Sequence, residues 1–273
     1  MNKLLNDGSL APAFVLLDIN GNISSSAQFL DQSLIGNPIY SPNRQTFYIF
    51  GRKVYINDVI EDLWNVEAAY IFPSSPMQME ISSSSASDDV DGTGVRAVKI
   101  LYLDDDYNQL EETIELSGTS SVYTAATNIL RINGMYATSV GSSGAAVGYI
   151  SLTEVNKSVK YSYIAAGNNL AQQAFFTVPF NKTAYINHWH ASSGSNNGGH
   201  YTNVYLMATS KDGERIPNVF LNYDCISTQD NGMFVNFPTP IRIGEFSDIK
   251  IMAKSDYEWA DVAVSAVFSG WLE

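Results

Sequence analysis

The stretch HWHASSGSNNGGH, residues 188–200, holds all three histidines of the chain. Neutral imidazole is a common ligand for zinc and other transition metals, so three rings this close pose the question of a metal centre. In TAYINHWHAS (183–192) strict alternation puts Ala184, Ile186, His188 and His190 on one strand face, with Tyr185, Asn187 and Trp189 on the other. SSGSNNGG then reads as a long turn that returns His200 towards His190. No carboxylate lies within the segment to orient a ring or to complete a catalytic group. A structural hairpin is therefore the expectation, with no metal, no cofactor and no catalytic residue. His188, His190 and His200 are the first place to look for an ion.

Other motifs argue the same way. SDDVDGTG (87–94) offers Asp88, Asp89 and Asp91 before a glycine, but a calcium loop counted from Asp88 would put Thr93 at its required glycine and Lys99 at its terminal glutamate. A tight solvated turn fits better, as does DDDYN at 104–108. Glu111 with Glu112, and Glu61 with Asp62, are sequence neighbours that point apart. No G-x-S-x-G elbow, H-E-x-x-H helix or G-x-x-x-x-G-K loop occurs, and an enzyme is not expected. Cys225 is the single cysteine, so an intrachain disulfide is excluded, and its strand-like setting LNYDCIST predicts a buried thiol.

The elements that must position these residues are strands. Of 273 residues 45% are hydrophobic and only 16% charged, with 16 Tyr and 13 Phe, a composition for sheets rather than helical bundles. The formal charge of −13 and the scatter of the 15 Lys and Arg argue against nucleic acid as a partner. No segment approaches the roughly 20 apolar residues needed to span a bilayer, and MNKLLNDGSLAPAF lacks a signal-peptide core, so no membrane partner is expected.

Three regions follow from the pattern. Residues 1–76 read as an irregular N-terminal arm with strands at 14–18 and 46–50 and a short helix over 57–70, capped by Asn57 or Asp58 and anchored by Trp64. Residues 77–154 read as a small antiparallel β-sandwich, with Val98, Ile100 and Tyr102 facing one way and Lys99, Leu101 and Leu103 the other. Residues 155–273 carry eight or nine short strands separated by Gly, Asn and Pro turns, the pattern of a jelly-roll-like β-sandwich. The predicted class is all-β.

In SSSSASDDVDGTGVRAVKILYLDDDYNQLEETIELSG a Ser-rich strand leads into an Asp and G-T-G turn, a strand ending in L-D-x-x-Y-N and an acidic strand. SSVYTAATNILRINGMYATSVGSSGAAVGYISL follows with an L-R-hydrophobic-N segment and a G-S-x-G turn, and FGRKVYINDVIEDLW precedes both. This order, over about residues 50–153, resembles a β-rich module of virion structural proteins of tailed bacteriophages, and departs from it in the extra acids of SDDVDGTG. For residues 155–273 the resemblance is architectural, to capsid-decorating and tail-attached β-sandwiches. The resemblance implies a non-enzymatic, multi-copy capsid decoration or head-fibre component on the outer surface of the virion, synthesised in the host cytoplasm. Its partners would be major capsid or tail proteins and further copies of itself, engaged through residues 1–45. Alternatives are a tail-associated adaptor or receptor-binding protein, and a carbohydrate-binding or carbohydrate-cleaving β-sandwich. The last would engage a host-surface glycan, with Trp189, Trp259, Trp271 and Tyr201 as stacking residues.

Overall fold

A computed structural model describes residues 44–156, 158–195, 198–256 and 262–273. In chain order the strands are β1 (Gln45–Lys53), β2 (Glu61–Asp62), β3 (Met79–Ser83), β4 (Val95–Asp104), β5 (Gln109–Glu115), β6 (Val122–Tyr123), β7 (Ile129–Val140), β8 (Ile150–Glu154) and β9 (Lys160–Ile164). They continue as β10 (Phe175–Thr177), β11 (Ala184–Ser195), β12 (Thr202–Ala208), β13 (Ser210–Lys211), β14 (Glu214–Arg215), β15 (Leu221–Thr228), β16 (Gly232–Ile243), β17 (Asp248–Ser255) and β18 (Val262–Leu272). The described chain is all-β, and its strand pairings are antiparallel.

Two sandwiches result. The smaller packs the sheet β6-β3-β8-β9 on the sheet β5-β4-β7 around Met79, Ile81, Val98, Ile100, Ile114 and Leu152. Its alternation is the one expected on β5, where Ile114 is buried while Glu111 and Glu115 are exposed. On β4 the period slips: the register shifts at Leu101/Tyr102 and Leu103/Asp104, and Tyr102, Leu103 and Asp104 are all buried. The larger sandwich faces β1-β18-β11-β16 with β10-β17-β12-β15, and β2 continues the β10 edge of β17. Its core is built on Trp189, Phe268, Leu206 and Ile251.

Several expectations are corrected. Residues 45–53 belong to no arm; they are the edge strand β1 of the larger sandwich, paired with β18 over their whole length. Residues 57–70 form no helix. The Asp62 carboxylate accepts from the Tyr70 N–H at 2.8 Å and from Lys250 Nζ at 2.9 Å, and Glu61–Asp62 pair with Met252 and Ala253, so tertiary partners take the groups a helix would use. Trp64 is buried, but in an aromatic cluster with Tyr70 and Phe175. Residues 160–164, placed by their spacing in the second sandwich, extend the first as β9 beside β8. The two strands expected at 232–238 and 241–245 are one, β16, which tolerates Pro238 and Pro240 because it is an edge strand. The strand expected at 14–18 lies outside the described residues.

The sandwiches are joined by a buried ion pair. Arg131 on β7 donates from Nε to Asp248 Oδ1 at 2.9 Å and from Nη2 to Oδ2 at 3.2 Å, with the Asp248 carboxylate also accepting from Thr177 Oγ1 at 2.6 Å. Nη1 donates to the carbonyls of Pro73 and Leu130. The guanidinium lies over the rings of Phe72 and Tyr107, 5.5 and 5.7 Å from their centroids. Burial alone would lower the pKa of Arg131, but the Asp248 carboxylate outweighs it and raises the value. Asn133 and the backbone of Thr177 exchange two further hydrogen bonds across the same junction.

Candidate functional site

The histidine strand departs from simple alternation in one place. Between Ile186 and His188 the register of β11 shifts against both neighbours. This bulge reverses the phase: Ala184 and Ile186 point inward before it, Trp189, Ala191 and Ser193 after it. His188 and His190 therefore lie on the outer face, opposite to Ile186, and Trp189 is a core residue whose Nε1 donates to Asp224 Oδ2 at 3.0 Å.

Ser269 Oγ lies 2.8 Å from Nε2 and 3.0 Å from Nδ1 of His188, whose ring also packs on Phe234 at 5.5 Å. Partial burial, and then the neighbouring His190, lower the pKa of His188, so its ring is neutral at pH 7. His200 instead faces Asp256, at 3.6 Å. An acid does reach the loop, but Asp230 spends both oxygens on the N–H groups of Ser195 and Gly199, at 2.9 and 2.7 Å, and so pins the backbone. Among the described residues no group of three or more His, Cys, Asp or Glu is arranged to hold a metal ion.

We expect the joint replacement of His188, His190 and His200 by Asn to move stability by no more than about 1 kcal/mol, close to the range for surface substitutions. Release of a stoichiometric transition metal on that replacement, read by elemental analysis, would reverse the assignment.

What the bulge assembles is an outer face of aromatic rows across β1, β18, β11 and β16. Tyr48, Ser269, His188 and Asn236 lie in register, as do Phe50, Val267, His190 and Phe234, and Thr46, Trp271, Tyr185 and Arg242. Tyr48 is 67% exposed and Phe234 61%. At one end Tyr185 stacks on Trp271 and the Arg44 guanidinium lies over the same indole. Strands at 46–50 and 232–238 are read from the sequence. Their place as the two edges of one sheet is not, because the strands between them, β18 and β11, are brought together only by the fold.

The remaining expected sites resolve as follows. The turn 87–94 is not wholly solvated: Asp88 is fully buried, and its carboxylate accepts from the N–H groups of Val95, Val147 and Gly148 and from Ser83 Oγ. Asp104 likewise organises its turn, accepting from the N–H groups of Asp106 and Asn108. Cys225 is exposed, not buried, because Ile226 and Thr228 take the inward positions of β15; burial and then Asp224 raise its pKa, leaving a protonated thiol. Of the aromatics considered for sugar stacking, Trp189 and Trp271 are buried, Tyr201 is 56% exposed, and Trp259 lies outside the described residues.

No protein-family model matches the sequence, and no curated protein matches it. Solved structures that align with it include the infectious bursal disease virus Gx strain, at 9% identity and a TM-score of 0.18, covering 84% of this chain and 69% of that one. T=1 particles derived from the same virus align with the same identity, coverage and TM-score. A subviral particle of its VP2 protein aligns at 7% identity and a TM-score of 0.14, covering 83% of this chain and 72% of that one. Superposition this slight leaves function to the residues of the chain itself.

Proposed function

We propose that this chain is a non-enzymatic structural protein of a tailed-bacteriophage virion, a capsid decoration or head-fibre component held by protein–protein contacts. The observation that carries the reading is the outer face of β1-β18-β11-β16, where Tyr48 and Phe234 stand exposed on the two edge strands, on the same face as His188 and His190. Aromatic side chains are enriched in protein–protein contacts, and exposed ones on a sheet face are candidates for an interaction site. Residues 1–43, which precede the edge strand β1 in sequence, supply the docking segment in this reading. The acidic balance keeps such a protein off packaged DNA. The partners are major capsid or tail proteins and further copies of this chain on the outer surface of the particle.

Removing residues 1–43 tests the reading, and it leaves in place every described core residue of both sandwiches. The truncated chain is expected to fold with an unchanged melting temperature yet to be missing from purified particles. Incorporation at full occupancy would defeat the docking role. The double change Tyr48→Ser and Phe234→Ser is expected to lower incorporation with little effect on folding, since both side chains are already exposed.

A further inference from the structure

Where the two sandwiches meet, beside the Arg131 junction that Tyr107 covers, an open cleft of about 460 Å3 is lined by Asp105, Asp106, Tyr107, Asn108, Phe180, Arg215 and Phe246. Phe180 and Phe246 lie nearly parallel, 10° apart with centroids at 6.0 Å, and Tyr107 meets Phe246 edge to face at 4.8 Å. Two of these rings hang from a backbone that side chains of their size rarely adopt: φ is +61° at Tyr107 and +63° at Phe246. Glycine or asparagine would sit there with less strain, so the fold holds two aromatic rings at a cost. Tyr107 has a structural reason to be present, since it covers Arg131. Phe180 has none of that kind: it is 53% exposed at the mouth of the cleft.

The rim supplies both hydrogen-bond senses. Arg215 and the Asn108 amide can donate, while Asp105, Asp106 and the Asn108 side-chain carbonyl can accept; Asn108 Nδ2 already donates once, to Asp104 Oδ2 at 3.1 Å, which leaves its second N–H, and Asp105 Oδ1 already takes the Asn128 amide at 2.7 Å, which leaves its second oxygen. Two carboxylates disfavour an anion, and Arg215 disfavours a cation. The rings form a stack in which Phe180 is the exposed member, with Tyr107 edge-on to Phe246, rather than a box around a point charge. An exposed aromatic ring beside mixed donors and acceptors suits a ligand with one C–H face and a girdle of hydroxyls that both donate and accept. We propose that this cleft binds a neutral saccharide ring, stacked on Phe180 and oriented by Asp106, Asn108 and Arg215. The site is separate from the outer sheet face and does not depend on the proposed assembly role.

Saturation-transfer NMR on the full chain tests this, with glucose, galactose, N-acetylglucosamine and their disaccharides as probes, and tetramethylammonium and sialic acid as charged comparators. At least one neutral saccharide is expected to receive saturation and to titrate with a millimolar Kd. Affinity should fall at least tenfold in Phe180→Ala and several-fold in Arg215→Ala, and survive in Phe180→Trp. Because Phe180 and Arg215 are exposed, their variants should keep the parent melting temperature, so a loss of binding is not a loss of fold. The proposal is overturned by no transfer to any neutral saccharide, by transfer unchanged in Phe180→Ala, or by stronger binding of either charged comparator at this cleft.

Discussion

Replacing Arg131 by alanine is expected to destabilise the protein by about 3–5 kcal/mol, the cost of removing one partner from a buried ion pair. Both side chains are buried, at 7% and 8% exposure, so Asp248 would lose its partner in a place that water does not reach. Thr177 Oγ1 still donates to that carboxylate, but one hydroxyl does not replace two guanidinium bonds. Arg131→Lys should recover only a minor part, since a single ammonium cannot reproduce the fork to Asp248 together with the bonds to Pro73 and Leu130. The double change Arg131→Met with Asp248→Leu should lose less than the sum of the single changes, because no unpaired charge is left behind. Urea unfolding of the four proteins measures this. Additive losses would show that the pair is not coupled as the geometry requires.

The same pair fastens β7 of the smaller sandwich to β17 of the larger, so its loss should also be visible as lost cooperativity. The parent is expected to unfold in one calorimetric transition, and Arg131→Ala in two. A single transition in the variant would mean that the Asn133–Thr177 bonds and the aromatic cluster suffice to couple the sandwiches.

Strand identity was largely legible, since β4 and β17 occupy the segments that alternation marked out, and β5 buries the residues expected of it. Facing was not, wherever a bulge reverses the phase. TAYINHWHAS fits a strand with Trp189 in either direction, and only the neighbours β16 and β18 fix it inward. The helix expected at 57–70 fails for a related reason. Its acidic and apolar residues satisfy a local helical pattern, yet Asp62 gains a lysine far along the chain and Leu63 a place in the core. Arg131 and Asp248 are separated by 117 positions, so nothing local marks them as partners. The one available signal is a charged residue inside the apolar strand ILRI, which must be paired if it is buried at all. The cleft at 105–108 was hidden for the same reason, because Phe180 and Phe246 come from two separate connections and Arg215 from the short strand β14.

The turn SDDVDGTG carries the second large effect. The two Asp88 oxygens accept four hydrogen bonds: Oδ1 from Val95 N and Val147 N, each at 2.9 Å, and Oδ2 from Ser83 Oγ at 2.6 Å and Gly148 N at 2.8 Å. They tie the strands β3 and β4 of the smaller sandwich to the segment that leads into β8 through a single side chain. An amide has one accepting oxygen, so Asp88→Asn would turn an N–H2 towards backbone N–H groups that already point inward. A loss of about 2–4 kcal/mol is expected at pH 7, and more for Asp88→Ala, which leaves all four donors unmet. Gly94 shares the role, because a Cβ there would stand 2.0 Å from Asp88 Oδ1, and Gly94→Ala should mimic the aspartate change. The pH dependence follows with a definite sign. Burial acts to raise the pKa of Asp88, but the Ser83 hydroxyl and the three N–H groups together lower it below the ordinary value. A carboxyl with a depressed folded pKa contributes fully above its unfolded value, about 3.9, and loses that contribution as the pH falls through the folded value. The gap between parent and Asp88→Asn should therefore be full at pH 6 to 7 and narrow below about pH 4, as the parent loses the carboxylate that the variant never had. Urea midpoints measured from pH 3 to pH 7 decide it, and a gap that stays constant over that range would remove Asp88 as the charged centre of the turn.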